Sequence, residues 1–464
     1  MSATDYDAFL AAKAPQIKPV GLARLPTIST ALFPFQRDVV SWALAQGRAA
    51  IYADCGLGKT PMQLEWARHV ADAVGRVLIL APLAVAQQTV REGAKFGINV
   101  TYARSGAEAP PSGVTITNYE RLADFDASTF AGVVLDESGI LKSYMGATKR
   151  RIVETFASHR FRLACSATPA PNDHLELGNQ SDFLGVLTSH EMIARWFIND
   201  TSTFGTYRVK GHAVRDFWAW VASWARCFGK PSDLGEYSDD DYRLPELKIH
   251  QHVIDVDVIA GRGEALFRIP DLSATSIHKE RRGTVAARAA KVAELVASEP
   301  GEPWVVWCET DYEADDLVAA IPGAVDVRGS QSLEAKERAL LGFADGSIRV
   351  LITKPKIAGF GLNWQHCARV AFVGATYSFE SFYQAIRRSY RFGQRRPVHA
   401  HVVMATTESA VWDVLTRKRD GHDEMKSAMF AAMRAAHSKS DDGAKDYQPR
   451  HDGCLPAWLF TESL

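Results

Sequence analysis

The sequence predicts an α/β fold in which two parallel-sheet domains follow one another in tandem, with a helical insertion after the first. With 464 residues, the chain is too long for a single compact core. Short apolar runs alternate with helix-like stretches in two series, over roughly residues 33–178 and 285–410. This alternation is typical of parallel sheets covered by helices.

The first series predicts a domain over residues 31–178, preceded by an irregular N-terminal arm at residues 1–30. Its apolar runs predict strands at Ala49–Ala53, Val77–Leu80, Val114–Thr117, Val133–Leu135 and Phe161–Ala164. The stretch Pro61–Ala73 predicts a helix, because proline is acceptable in a first helical turn.

The second series predicts another domain over residues 285–415. Strands are expected at Trp304–Trp307, Ile348–Ile352, Val370–Val373 and His401–Val403, and helices around Glu313–Ala320, Leu333–Phe343 and Glu380–Arg388. Between the domains we expect a helical insertion and connector at residues 179–248, then a linking strand and loop at residues 249–284. A C-terminal helix and tail are expected at residues 416–464.

Two apolar segments each allow two interpretations. Phe217, Trp220, Val221, Trp224 and Phe228 follow helical spacing. They could form a platform on which bases stack, but a single stripe favours a buried helix face. The apolar tip Leu455–Phe460 could contact a partner, although a strap back onto the core is preferred.

The composition excludes several classes of protein. No run of about 18 apolar residues predicts a membrane span, and the first residues lack the basic start of a secretory signal. The six cysteines are scattered without metal-ligand spacing, which predicts a reducing, cytoplasmic environment and no structural zinc. A net charge of −1 means that any contact with nucleic acid must come from a local groove.

A candidate phosphate-binding loop lies at Asp54–Thr60, after an apolar strand and before a helix. Gly56 and Gly58 allow backbone N–H groups to turn inward, and the helix N-terminus favours negative charge. We expect Lys59 to reach the β- and γ-phosphates of ATP, and the Thr60 hydroxyl to bind Mg²⁺.

Two further motifs stand at predicted strand ends. Asp136 and Glu137 follow an apolar strand, where Asp136 could hold Mg²⁺ through water and Glu137 could deprotonate the attacking water. Ser166 and Thr168 could hydrogen-bond the carboxylate loop and sense its state, although a simple turn before Pro169 would look the same.

The second series ends in a basic motif, Gln384–Arg391. Arg388 and Arg391 are three residues apart and are expected on one helix face. Two guanidinium groups facing a γ-phosphate would form an arginine-finger site. A solvated basic face is the alternative.

Together these motifs resemble those of superfamily-two helicases, and among them the Swi/Snf-type translocases. The resemblance covers roughly residues 30–178 and 285–410. It rests on Phe33–Gln36, Asp54–Thr60, Leu78–Pro82, Thr115–Glu120, Gly359–Asn363 and Gln384–Gln394, in the family's order. The family's D-E-x-H box reads Asp136-Glu-Ser-Gly139 here. The short format is similar to the compact helicases of bacteriophages and prophages.

The resemblance implies two RecA-like domains that hold ATP and Mg²⁺ between them. It implies that Gln36 reads adenine, that Gly361 lies at the nucleotide and that Gln384 couples the site to movement. Contacts with nucleic acid are implied for Pro82, Thr117, Asn118 and Asn363.

The expected function is that of a monomeric, ATP-driven helicase or translocase acting on DNA, with RNA less favoured and no membrane partner. It would act in the cytoplasm of a bacterial cell or a phage-infected host. One alternative is a double-stranded DNA translocase or annealing motor that does not unwind. Another is a nucleotide-gated binding module without turnover, which the presence of Glu137 disfavours.

Overall fold

The computed structural model describes residues 18–142, 146–170, 174–199, 207–255, 274–358, 363–376 and 378–440. Within these residues the chain forms two parallel sheets, each covered by helices. The predicted tandem α/β architecture is therefore confirmed.

The first sheet has seven parallel strands in the order β3-β4-β2-β5-β6-β1-β9. They are β1 (Arg48–Ala53), β2 (Val77–Ala81), β3 (Val100–Tyr102), β4 (Val114–Asn118), β5 (Gly132–Asp136), β6 (Phe161–Cys165) and β9 (Ala225–Phe228). The helices of the first series are α1 (Pro34–Gln46), α2 (Lys59–Ala73), α3 (Leu83–Lys95) and α4 (Ala147–Thr155). Short 3₁₀ turns follow β4 and β5, at Tyr119–Asp124, Ala127–Thr129 and Ser138–Lys142.

Helices lie on both faces of this sheet, which explains why its central strands are continuous apolar runs rather than alternating ones. Every residue of β2, β4, β5 and β6 is buried. Two apolar clusters fill the two faces, one around Ile79 and Val134 and the other around Leu80 and Val133.

The segment that follows the first series, predicted as a helical insertion, contains helices and one hairpin and then rejoins the first sheet. It contains α5 (Glu176–Leu184), α6 (Ser189–Trp196), an antiparallel hairpin of β7 (Phe197–Asn199) and β8 (Tyr207–Val209), and α7 (Val214–Trp224). It then returns to the first sheet as β9, which pairs with β1. Short 3₁₀ turns follow at Gly211–Ala213, Pro231–Asp233 and Asp240–Tyr242.

The aromatic residues of this segment form a buried face rather than a platform for stacking bases, as the helical spacing favoured. Phe217 and Trp224 are fully buried and Trp220 is 4% exposed, all within a core cluster of the first domain. The predicted single helix was wrong for Phe228, which lies in β9. Pairing of Ala225–Phe228 with β1 ends the helix, because these residues take the extended conformation of the sheet edge.

The second sheet has six parallel strands in the order β10-β15-β14-β11-β13-β12. They are β10 (Leu247–Ile254), β11 (Trp304–Trp307), β12 (Val325–Val327), β13 (Val350–Thr353), β14 (Arg369–Val373) and β15 (Val398–Ala405). Its helices are α8 (Ala274–Ser298), α9 (Asp311–Ala320), α10 (Leu333–Ala344), α11 (Pro355–Ala358) and α12 (Phe379–Ile386). The linking strand predicted within residues 249–284 is thus the edge strand β10 of this sheet.

The last described helix, α13 (Ser409–Ser440), follows a 3₁₀ turn at Thr406–Glu408 and joins the two domains. Its first turns contribute Val411 and Leu415 to the second domain's core. Further along, Met425 and Met429 are buried in the first domain's core, against α7 and β9. The apolar tip Leu455–Phe460 lies outside the described residues. Among the described helices, none combines the length and apolar character that a membrane crossing requires.

Candidate nucleotide site between the domains

The candidate site lies where the strands of the first sheet end. Because the strands are parallel, the residues that follow β1, β5 and β6 lie at one edge of the sheet. Asp54 and Ser166 directly follow β1 and β6, and Asp136 is the last residue of β5. In doubly wound sheets, this carboxyl edge is where ligands bind.

The loop between β1 and α2 has the backbone that a phosphate cradle needs. Gly56 and Gly58 have φ values of 92° and 83°, in the left-handed region that favours glycine. A Cβ on Gly58 would lie 2.2 Å from Nε2 of Gln36, so a side chain there is also excluded by space. Lys59 and Thr60 begin α2, and the Lys59 ammonium donates to the Ala53 carbonyl at 3.1 Å.

Gln36 is fixed against this loop rather than pointing away from it. Its Nε2 donates to the Leu57 carbonyl at 2.9 Å, and its Oε1 accepts from the backbone of Phe33 at 3.0 Å. The residue is 4% exposed. The first turn of α1 therefore packs directly on the loop, and the role of Gln36 in reading adenine stays a prediction.

The two carboxylates at the end of β5 have unequal environments. Asp136 is buried, and this burial together with the neighbouring Glu137 raises its pKa, while Lys59 acts in the opposite direction. Glu137 is the single non-glycine residue with a positive φ, 55°, in the described chain. Such a backbone is unfavourable for a side chain and is often found at functional sites.

Ser166 and Thr168 lie beside this carboxylate pair and are both fully buried. The Ser166 hydroxyl accepts from the backbone of Thr168 at 3.0 Å, as in a local Ser turn. The simple-turn interpretation therefore describes the observed hydrogen bond. The sensing role stays a prediction.

Arg388 and Arg391 approach the loop from the second domain, but not on one helix face as predicted. The helix α12 ends at Ile386, and the Gln394 amide donates to the Ser389 carbonyl at 3.1 Å. The carbonyl of Arg388 accepts from the backbone of Trp364 at 2.9 Å. These hydrogen bonds hold the chain in turns after the helix ends, so Arg388 and Arg391 lie in turns and not on one helix face.

The second domain nevertheless brings both guanidinium groups to the first. Burial lowers the pKa of Arg388 to about 10, and the Cys55 and Glu137 side chains of the first domain act on it electrostatically. Burial also lowers the pKa of Arg391, which is influenced by Cys55 as well. Gln384 is buried within α12, one turn before Arg388.

Sequence reasoning missed a cluster that joins the domains at the same loop. The Asp54 carboxylate accepts from Arg387 at 2.6 Å, from Lys426 at 2.9 Å and from the Tyr383 hydroxyl. Burial alone would raise the pKa of Asp54, but the two cations and the hydroxyl hold it well below its usual range. The predicted phosphate-binding loop Asp54–Thr60 includes Asp54, but its sequence does not reveal these partners.

Other contacts close the same cleft. The ring of Phe392 stacks on Tyr242 at 4.7 Å, and its Cβ lies 2.7 Å from the position that a Cβ on Gly56 would take. Lys142 and Glu380 form an ion pair across the domains at 2.6 Å.

The residues implied for nucleic acid are placed unevenly. Pro82 precedes the first turn of α3, and Asn363 is exposed. Gly361, which the resemblance places at the nucleotide, lies outside the described residues. Thr117 is fully buried and Asn118 is 6% exposed, because β4 ends between two covered faces. In this conformation, the Thr117 side chain therefore lies away from the surface where nucleic acid was expected to bind it.

The fold consists of two parallel-sheet α/β domains that enclose one cleft, and part of the second domain matches a known family. Residues 287–393 match the family model of the helicase conserved C-terminal domain. This range contains Arg388 and Arg391.

Several known proteins are similar to part or most of this chain. Protein p41 of Acyrthosiphon pisum secondary endosymbiont phage 1 is 23% identical, over 86% of this chain and 98% of its own length. The SWI/SNF-related matrix-associated actin-dependent regulator of chromatin subfamily A-like protein 1 of Xenopus tropicalis is 27% identical over 36% of this chain, which is 19% of that protein. The structure of the Sulfolobus solfataricus SWI2/SNF2 ATPase core in complex with double-stranded DNA aligns with 91% of this chain and 97% of its own chain. The sequence identity is 16% and the TM-score is 0.42. The resemblance to Swi/Snf-type superfamily-two helicases and to phage proteins is confirmed.

Proposed function

We propose that the protein is an ATP-driven motor that moves along DNA. One observation carries the proposal: the candidate site is assembled from both domains. Lys59, Asp136 and Glu137 come from the first, whereas Arg388 and Arg391 come from the second. Hydrolysis at such a site depends on how the domains are placed, so it can be coupled to their movement.

Each group has a chemical role that suits its position. The backbone around Gly56 and Gly58, together with Lys59, would hold the phosphates of ATP. Thr60 and Asp136 would hold Mg²⁺, which neutralises phosphate charge when bound. Asp136 is buried, and this burial together with the neighbouring Glu137 raises its pKa.

Hydrolysis requires a base and a group that stabilises the developing charge. Glu137 would orient and deprotonate the attacking water, and it has a backbone conformation that non-glycine residues rarely adopt. Arg388 and Arg391 would act on charge that spreads over the transferring phosphoryl oxygens. The loss of this charge after hydrolysis would weaken their hold and let the domains separate.

The first test is Lys59→Ala, which should reduce DNA-stimulated ATP hydrolysis to background. The side chain is half-buried at a loop, so the fold should survive. Steady-state hydrolysis with DNA, beside circular dichroism, would measure both effects. The exposed Lys95→Ala at the far end of α3 is the matched control and should hydrolyse normally. Normal turnover of Lys59→Ala, with contaminating ATPases removed, would refute the phosphate loop.

A double-stranded DNA translocase or annealing motor without unwinding is the second candidate. The partial similarity to a SWI/SNF-related regulator favours it. A strand-displacement assay run beside a triplex-displacement assay separates the two. Displacement of the third strand without unwinding would favour translocation alone, and rates with single strands, duplex and RNA would define the polymer.

A further inference from the structure

Four histidines form a ladder at the outer edge of the second sheet, away from the nucleotide site. They are His250 and His252 on β10 and His399 and His401 on β15. Alternate residues of a strand face the same side of a sheet. In the register of these strands, His250 lies opposite His401. All four imidazoles therefore occupy one face.

The ring nitrogens are close enough to share one ion. His250, His399 and His401 each present a ligand atom within 4.8 Å of the other two. Nε2 of His250 lies 3.0 Å from Nδ1 of His399. Two nitrogens bound tetrahedrally at about 2.0–2.1 Å from zinc are roughly 3.3 Å apart. The His250–His399 pair is therefore near the spacing of two ligands of one ion, and the His401 nitrogen would have to move closer to complete a set of three.

We propose that His250, His399 and His401 bind a divalent transition-metal ion of the zinc type, which fastens β10 to β15. Three imidazoles are a set that such ions accept, with a fourth position left for water or another ligand. His250 and His399 are only partly buried, so their rings are accessible, whereas the Nε2 atom of His401 is buried.

His252 would orient one of the ligands. Its Nε2 lies 3.0 Å from Nδ1 of His401. The other nitrogen of His401, Nε2, is buried and has no hydrogen-bond partner among the described residues. If Nδ1–H of His401 donates to His252, then Nε2 carries the lone pair that a metal needs. A hydrogen bond of this kind, from a ligand's second nitrogen, is the usual companion of metal-binding histidines.

A plain chain of imidazole hydrogen bonds is the competing explanation. It accounts for the two 3.0 Å contacts but leaves Nε2 of His401 without a partner. The charges around the ladder are mixed: Lys248, Lys291 and Arg369 repel a cation, whereas Glu294 and Glu299 attract it.

The location gives the site a structural consequence. The strand β10 is the first element of the second sheet, and it follows the segment that leads from the first domain. An ion held by β10 and β15 would fix this edge strand where its only partner in the sheet is β15. The site would therefore stabilise the second domain rather than take part in hydrolysis.

The test uses the full chain without a histidine tag, first stripped with a chelator and then dialysed. Zinc would be titrated against a competing chromophoric chelator, and X-ray absorption would count the ligands. We expect about one ion per chain, with three nitrogen ligands near 2.0–2.1 Å. A chain that keeps no stoichiometric zinc at micromolar free metal, or binds it without histidine, would overturn the proposal.

Variants then locate the ion. His401→Ala should weaken binding by tenfold or more, and His252→Gln by about 10–100-fold, as for other groups that orient ligands. His212→Ala, an exposed histidine of the first domain, should bind like the parent. If His401→Ala fails to fold, the absorption spectrum of the parent decides alone. Equal affinity in the parent and in a folded His401→Ala would refute the assignment.

Discussion

At the scale of single residues, three neighbouring arginines of the second domain have different surroundings. Arg387 pairs with Asp54 at 2.6 Å. Arg388 and Arg391 are instead influenced by the Cys55 thiol, and Arg388 also by Glu137. We infer that Arg387 holds the domains together, whereas the proposed function assigns Arg388 and Arg391 to the phosphates.

Arg391→Ala should separate binding from chemistry. A group that acts mainly in the transition state changes turnover more than affinity. ATP binding should therefore stay within about tenfold of the parent, a difference of about 1.4 kcal/mol. DNA-stimulated hydrolysis should fall by roughly 10³–10⁵, the range of known arginine fingers. Equilibrium nucleotide binding and single-turnover hydrolysis would measure the two quantities.

The exposed Arg395→Ala is the control for Arg391, since it removes a guanidinium from the same segment. It should retain both binding and hydrolysis. Parent-like hydrolysis by Arg391→Ala would contradict the catalytic site drawn across the two domains. Arg388→Ala should resemble Arg391→Ala, with a larger binding defect because Arg388 is more deeply buried.

The sequence could predict those residues whose neighbours along the chain define the motif. Gly58, Lys59 and Asp136 could be predicted because an apolar strand precedes each motif, and the local backbone there is as expected. It could not predict that Asp54 meets Tyr383 and Lys426, because 329 and 372 residues separate them. The histidine ladder could not be predicted for a similar reason, because its histidines come together only when β10 pairs with β15.

At the scale of elements, α13 is the strut between the domains. One end packs in the second domain through Val411 and Leu415, and Met429 is fully buried in the first. The sequence predicted a helix in this region but not its destination, because a run of mixed charge does not reveal which surface its apolar residues cover. Lys426 lies on the same helix and reaches Asp54.

Lys426→Met should loosen the contact between α13 and the phosphate loop while keeping most of the side chain's length. The methionine cannot donate to Asp54 or to Tyr383, whose hydroxyl lies 3.1 Å from the lysine nitrogen. We expect a broader distribution of interdomain distances by single-molecule fluorescence, with unchanged far-UV circular dichroism. Arg417→Met, exposed on the same helix, should match the parent. An unchanged distribution in Lys426→Met would mean that the strut closes the cleft without this contact.

The same cluster should be insensitive to pH around neutrality. Asp54 has a lowered pKa, so its contribution is present above the usual carboxyl range and is lost as pH falls through the folded value. Lys426 has a raised pKa, since Asp54 and Tyr383 outweigh its burial, so its contribution is lost only at strongly basic pH. The interdomain distance of the parent should therefore be constant between about pH 5 and 9. A transition within that window would assign closure to other groups.

At the scale of the whole molecule, the candidate site is complete only while the domains are closed. The first sheet presents its carboxyl edge to the cleft, and the cross-domain contacts involve the phosphate loop itself through Asp54 and Gly56. A chain built in this way can couple nucleotide state to domain position without a separate transmitting element. DNA that favours the closed arrangement would stimulate hydrolysis for the same reason.

DNA affinity should be dominated by phosphate contacts. The net charge of −1 provides no general attraction, so binding must come from a local basic groove. The aromatic stripe cannot supply stacking in this conformation, since Phe217 and Trp224 are fully buried. The logarithm of the binding constant should fall linearly with the logarithm of salt concentration, with a slope near −0.9 per phosphate on duplex and about −0.7 on single strands. Fluorescence anisotropy over a salt series, with both polymers, measures the slopes. A flat response would mean that α7 opens to expose its aromatic face, and it would reverse the assignment of that face to the core.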